Sequence, residues 1–277
     1  MSDRLGRRGF LAVLGGIAAG GVLVPGVAAA AGTADMELVV LAAQCDPVKP
    51  DTGLTPGAGA SVRLVEQALV AEGLLAAQYV DGHFGTVTRT AYGRWQESLG
   101  YAGAAANGFP GRASLTALAN GRFTLTRTLT PGARTTFQGF PFNARTVAML
   151  REAQRLCGVP LVVEQGSYSP GEDPTSAGTH DGGGAVDLDA EALTSAQRTA
   201  LVTALRRVGF AAWLRRPSQG NWPLHVHGIA VNDTDLSTPA QKQVGQYYLG
   251  RDGLAGNGQD DGPQVTKVTW EQYLRAA

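Results

Sequence analysis

The chain has 277 residues, with 23 basic and 23 acidic side chains and therefore no formal net charge. That balance excludes the basic composition of a protein built to hold nucleic acid or an anionic membrane. The length suffices for two domains, and after the first 31 residues no apolar run is long enough to span a bilayer.

Residues 1–31 read as a signal peptide. Gly6-Arg-Arg-Gly-Phe-Leu11 precedes an apolar run from Leu11 to Val27, and Ala28 to Ala31 offer a cleavage site. Paired arginines before a mild apolar stretch point to the twin-arginine export route. The expectation is a secreted or wall-associated protein with no membrane contact once the signal is removed. In that oxidising setting the two cysteines, Cys45 and Cys157, are expected to form one disulfide.

Residues 32–59 are rich in proline and glycine after a short apolar run and read as a lead-in or linker. A helical unit follows over 60–121. Ser61 caps a first helix with Val62, Val65 and Leu69 at helical spacing. The turn Asp81-Gly-His-Phe-Gly85 leads to a second helix carrying Ala91, Trp95 and Leu99, and a third runs from Arg112 to Leu118. His83, inside the turn, reads as a solvated loop residue. With Gln67, Asp81-Gly-x-Phe-Gly85-x-x-Thr88 and Trp95-Gln96 before Gly100, this segment resembles the peptidoglycan-binding module found beside bacterial wall hydrolases. The resemblance implies a small three-helix bundle with peptidoglycan as its partner.

Residues 135–277 mix helix and strand. The pattern predicts a helix over 143–157, strands near 161–164, 185–189, 209–214 and 225–231, and helices over 194–208 and 239–250. This order implies an α+β fold with an antiparallel sheet.

Within it lies Gly178-Thr-His-Asp-Gly-Gly-Gly-Ala-Val-Asp-Leu-Asp189. The glycine run lets the backbone fold tightly, so that His180 and a strand-borne Asp187 can converge. Leu224-His-Val-His-Gly228 supplies two more imidazoles, which a strand sets on one face at i and i+2. Two histidines and one carboxylate with an open fourth position form the pattern of a catalytic zinc.

His180-x-x-Gly183-x-Ala185-x-Asp187 followed by His-x-His resembles the zinc D-alanyl-D-alanine carboxypeptidases and related wall peptidases. The resemblance implies zinc held by His180, Asp187 and His227, with His225 acting beside it. Two positions depart from the family pattern. Leu224 stands where an acid precedes the last ligand by three residues, and Ser169 stands where an arginine follows a Gly-Tyr turn to pair a substrate carboxylate. His225 is then the first substitute proton carrier, ahead of Asp181 and Glu164. Tyr168, Ser169 and Trp222 are the candidate substrate contacts. The expected protein is a monomeric zinc peptidase of peptidoglycan. The alternative is a wall-binding protein that has lost hydrolysis.

Overall fold

The computed structural model describes residues 32–50 and 53–277, so the expected signal peptide lies outside the described residues. Helix and sheet are mixed in an α+β arrangement with antiparallel strands. Among the described residues no helix is long and apolar enough to cross a membrane.

The first described elements correct the linker expectation for 32–59 at its start. Gly32–Asp35 is a strand (β1), and Met36–Cys45 is a helix (α1). Asp35 caps α1 by accepting from the backbone N–H of Glu37 at 3.0 Å. Met36, Val39, Val40, Ala42 and Ala43 enter one core, while Leu41 and Cys45 enter another. A helix that is apolar all round is a buried helix and shows no amphipathic period.

Gly59–Ala71 (α2), Thr86–Ser98 (α3) and Arg112–Ala119 (α4) pack with α1 around Leu69, Phe84, Tyr92 and Leu115. Strand β2, Phe123–Thr126, returns to lie parallel to β1 and ties the two ends of this unit together. The Asp81–Gly85 turn is fixed from both sides. Asp46 accepts from Phe84 N–H at 3.0 Å, and Glu66 accepts from Gly82 N–H at 2.8 Å and from the Thr88 hydroxyl at 3.1 Å. His83 is therefore buried, not solvated.

A hairpin follows, Arg134–Phe137 (β3) with Phe140–Asn143 (β4). Asn143 caps Ala144–Cys157 (α5), and Gly158 ends it in the left-handed region at φ 67°. The main sheet has four antiparallel strands. These are Val163–Gln165 (β5), Ala185–Asp189 (β6), Phe210–Arg215 (β7) and His225–Ala230 (β8), in the spatial order β5-β6-β8-β7. Ser195–Arg207 (α6) starts with a capping box between Thr194 and Gln197.

Side-chain alternation gives this sheet two unlike faces. Val186, Leu188, Phe210, Ala212 and Val226 pack against α5 and α6. Ala211, Trp213 and Ile229 face the other way, toward Thr238–Tyr248 (α7) and, beneath it, α1. The contact of α7 with α1 is close: a Cβ on Gly245 would fall 2.5 Å from the Gln44 carbonyl oxygen. The last helix, Trp270–Ala276 (α8), is held by Glu271 to Arg145 at 2.8 Å and by Arg275 to Glu37 at 2.6 Å.

The expected disulfide is not formed. Cys45 is a free thiol in the apolar cluster under α7, and burial pushes its pKa up to about 12. Cys157 is also free and sits at the end of α5, where its sulfur accepts from Val159 N–H.

Candidate metal centre

The polar face of the sheet is organised in two rows. Asp187 of β6, His227 of β8 and Trp213 of β7 lie directly across from one another. Asp189, His225 and Arg215 form the next row. Since i and i+2 share a face, one parity rule places Asp187, His225, His227 and Arg215 on the same side. His180 arrives from the preceding loop. The glycine run makes that approach possible, because a Cβ on Gly182 would lie 2.3 Å from the Asp235 carbonyl oxygen and Gly184 adopts φ +77°.

His180, Asp187 and His227 each offer one ligand atom, and all these atoms lie within 4.8 Å of one another. Together they form a buried group able to hold a metal ion. Asp187 Oδ1 is 2.6 Å from His227 Nδ1, and Asp187 Oδ2 is 3.3 Å from His180 Nε2. The two imidazole rings stand 5.4 Å apart. The outer nitrogens are engaged elsewhere. His180 Nδ1 is 2.8 Å from the Gly166 carbonyl oxygen, and His227 Nε2 is 2.9 Å from Gln243 Oε1. Each partner is an acceptor, so each outer nitrogen carries the proton and the inner lone pair points at the shared space. His180 Nε2 is fully buried and has no hydrogen-bond partner. An unpartnered buried imidazole nitrogen costs about 1–3 kcal/mol, which a metal bond removes. Two imidazoles and one carboxylate are a donor set able to hold a metal ion.

Electrostatics agree with this arrangement at Asp187 and His227. Burial acts to raise the Asp187 carboxyl, but the neighbouring His227 and His180 imidazoles, with the hydrogen bond to His227, outweigh it and hold the group well below the ordinary carboxylate range. Burial lowers His227 more than Asp187 raises it, which favours the neutral, ligating form. For His180 the same two influences resolve the other way, toward a raised value.

The trio opens onto a cleft of about 930 Å³. His225 lines it, with Nδ1 2.9 Å from the Pro223 carbonyl oxygen and Nε2 3.7 Å from Asp187 Oδ1. Trp222 lines it as well, its ring edge-on to His225. Glu164 sits at the exposed rim, where burial first, then Asp189 and Asp187, raise its pKa.

Three sequence candidates fall elsewhere. Asp181 is exposed and outside the cleft lining, because adjacent loop residues point apart. Tyr168 adopts φ 57° and turns its hydroxyl to Asp235 at 2.6 Å and Asn143 at 3.2 Å, so it braces the loops and does not line the cleft. Ser169 is buried, with its hydroxyl 3.4 Å from the Gly166 carbonyl oxygen and 3.3 Å from Gln165 Nε2. Leu224, the residue just before β8, is packed against the apolar core on the other side of the sheet. An acid at this position would not look toward the trio.

The cleft also contains residues with no motif of their own in the sequence. Gln243 of α7, Arg215 of β7 and the backbone of residues 252–258 line its far side. Their signal was absent from local sequence, since each enters through strand register or helix docking. The chain matches no family model, no curated protein and no solved structure.

Proposed function

We propose that this protein is an exported, zinc-dependent peptidase acting on the peptide stems or cross-links of peptidoglycan. The observation that carries the proposal is the convergence of His180 Nε2, buried and unpartnered, with Asp187 and His227 at the floor of an open cleft. The three residues would hold zinc, with His180 and His227 presented through their inner nitrogens. Bound there, zinc supplies Lewis acidity that makes water a nucleophile near neutral pH and polarises a carbonyl. His225 would take a proton at Nε2, because its Nδ1 is committed to Pro223, and pass it to the leaving amine. Glu164, at the rim, is the second group able to move a proton. Helices α2, α3 and α4 form the three-helix wall-holding unit of this reading, and residues 135–277 its D,D-peptidase-like domain. The partner is peptidoglycan and the route of export is twin-arginine.

Purified wall incubated with zinc-loaded mature protein is expected to release soluble peptides. Chelation and His227→Ala should both stop the release. No release under zinc-replete conditions would refute the enzymatic reading. A second reading, wall binding without turnover, is favoured by one observation: Leu224 leaves the usual acid position empty and faces the apolar core. Wall pull-down with no peptide release would support it.

A further inference from the structure

Helix α7 is gripped from two sides. Gln243 faces the trio, where it accepts from His227 Nε2. Gln241, two residues earlier, looks the other way, because helix residues at i and i+2 lie about 200° apart round the axis. Its side chain is fully buried and meets Arg89 of α3.

The half-buried Arg89 guanidinium spends its hydrogen bonds on neutral acceptors. Nη2 donates to Gln241 Oε1 and, at 3.3 Å, to the Thr238 hydroxyl. Nε donates to the Asn107 carbonyl oxygen at 3.2 Å, in the segment joining α3 to α4. That segment is pressed onto α3, since a Cβ on Gly108 would fall 2.2 Å from the Arg89 carbonyl oxygen. Burial lowers the Arg89 pKa, and no carboxylate opposes it. A cation taken from water without a carboxylate partner is costly, and its bonds to α7 offset that cost.

From Gln241 the contacts run on to His180. Gln241 Nε2 donates to the Leu236 carbonyl oxygen at 2.7 Å. Residues 235–237 are in turn the bed of the glycine run. The Asp235 carbonyl oxygen accepts from Gly183 N–H at 2.8 Å. The hydroxyl of Ser237, the cap of α7, donates to the Thr179 carbonyl oxygen at 3.2 Å. His180 sits between the residues so held. The start of α7 therefore sets both imidazoles of the trio, His227 through Gln243 and His180 through 235–237.

We propose that Arg89 is a positioning residue of the metal centre, the point at which the helical unit holds the start of α7 and with it both imidazoles. The proposal rests on the metal-holding part of the proposed function and on no particular reaction.

The test uses full-length mature protein and zinc alone, with affinity read by competition with a chromophoric chelator. Arg89→Met is expected to weaken zinc binding about three- to tenfold, short of the about 10–100-fold lost with a partner that touches the ligand itself. Arg89→Lys keeps a charged donor and should recover part of the loss. Gln241→Leu should weaken zinc binding by itself, and Arg89→Met should add little to it. Ser114→Ala is the control: it takes a partner from the Tyr92 hydroxyl inside the helical unit, and should lower the melting temperature with zinc affinity unchanged. Wild-type zinc affinity in Arg89→Met would overturn the proposal. So would equal losses in Arg89→Met and Ser114→Ala, or fully additive losses in the pair with Gln241→Leu. If Arg89→Met does not fold, Arg89→Lys and Gln241→Leu carry the same comparison with Ser114→Ala. A wild-type protein that binds no zinc sinks the metal centre, and Arg89 is then judged in the metal-free protein. There the His227 Nε2–H proton resonance should broaden in Arg89→Met and stay sharp in Ser114→Ala; a sharp signal in both would overturn the proposal.

Discussion

Gln243 offers the sharpest test of the metal geometry. Its Oε1 accepts from His227 Nε2 at 2.9 Å and so keeps Nδ1 facing Asp187. Gln243→Leu removes the acceptor at little change in side-chain volume. Two effects follow. The buried His227 N–H loses its partner, which costs about 1–3 kcal/mol of stability. The imidazole is also freed to change tautomer or rotate, and loss of such an orienting partner weakens metal affinity about 10–100-fold, or about 1.4–2.7 kcal/mol. Zinc affinity is read by competition with a chromophoric chelator, and folding by thermal melting of the metal-free form. Gln243→Glu keeps an acceptor at the same place and should retain wild-type affinity or exceed it. Unchanged affinity in Gln243→Leu, with the fold intact, would refute the assignment of Nδ1 as the ligating atom.

Zinc at a hundredfold excess over its dissociation constant should stabilise the fold by about 2.7 kcal/mol, raising the melting temperature by roughly 5–10 °C. Asp187→Asn should erase most of that shift. His225→Ala should lower turnover by about 10²–10⁴ while zinc content is unchanged; a parallel loss of zinc would make His225 a ligand instead. Glu66 gives a pH signature in the helical unit. Burial raises its carboxyl to about 7, against the opposing hydrogen bonds from Gly82 and Thr88. The folded state therefore keeps a proton that the unfolded chain has lost. Stability is full below the unfolded value of 4.5 and falls as pH rises through about 7, by about 1–3 kcal/mol. Glu66→Gln can keep both bonds without the charge, and denaturant melts of this variant should be flat over the same window.

The metal trio was legible because it rests on two short-range rules, a glycine run that lets a loop close and a strand period that pairs His225 with His227. The same period places Leu224, of opposite parity to His225, on the core face. Helix α1 was hidden because its apolar residues surround it, leaving no stripe to read. Tyr168 and Ser169 read from sequence as substrate contacts, but the positive φ of their turn sends the phenol to Asp235. Asp181 adjoins His180 in sequence, but nearness in a loop carries no direction, and its side chain is exposed. His83 looked solvated because the carboxylates that fix its turn, Asp46 and Glu66, lie 38 and 16 residues away from the positions they bind. Arg215 and Gln243 depend on which strand lies beside β8 and on how α7 crosses the sheet. No local pattern encodes either.

The seating of α7 on α1 joins the two halves of this molecule mechanically. Gly245 has no room for a methyl group against Gln44, and Arg275 clamps the far end of the chain to Glu37. A gene cut between residues 121 and 135 would take away the bed on which the helix bearing Gln243 rests, and the reacting half would loosen at its own ligand. On the proposed function, the gripping part and the cutting part form one stiff tool of fixed reach, which trims only stems lying at a set distance from the place it holds.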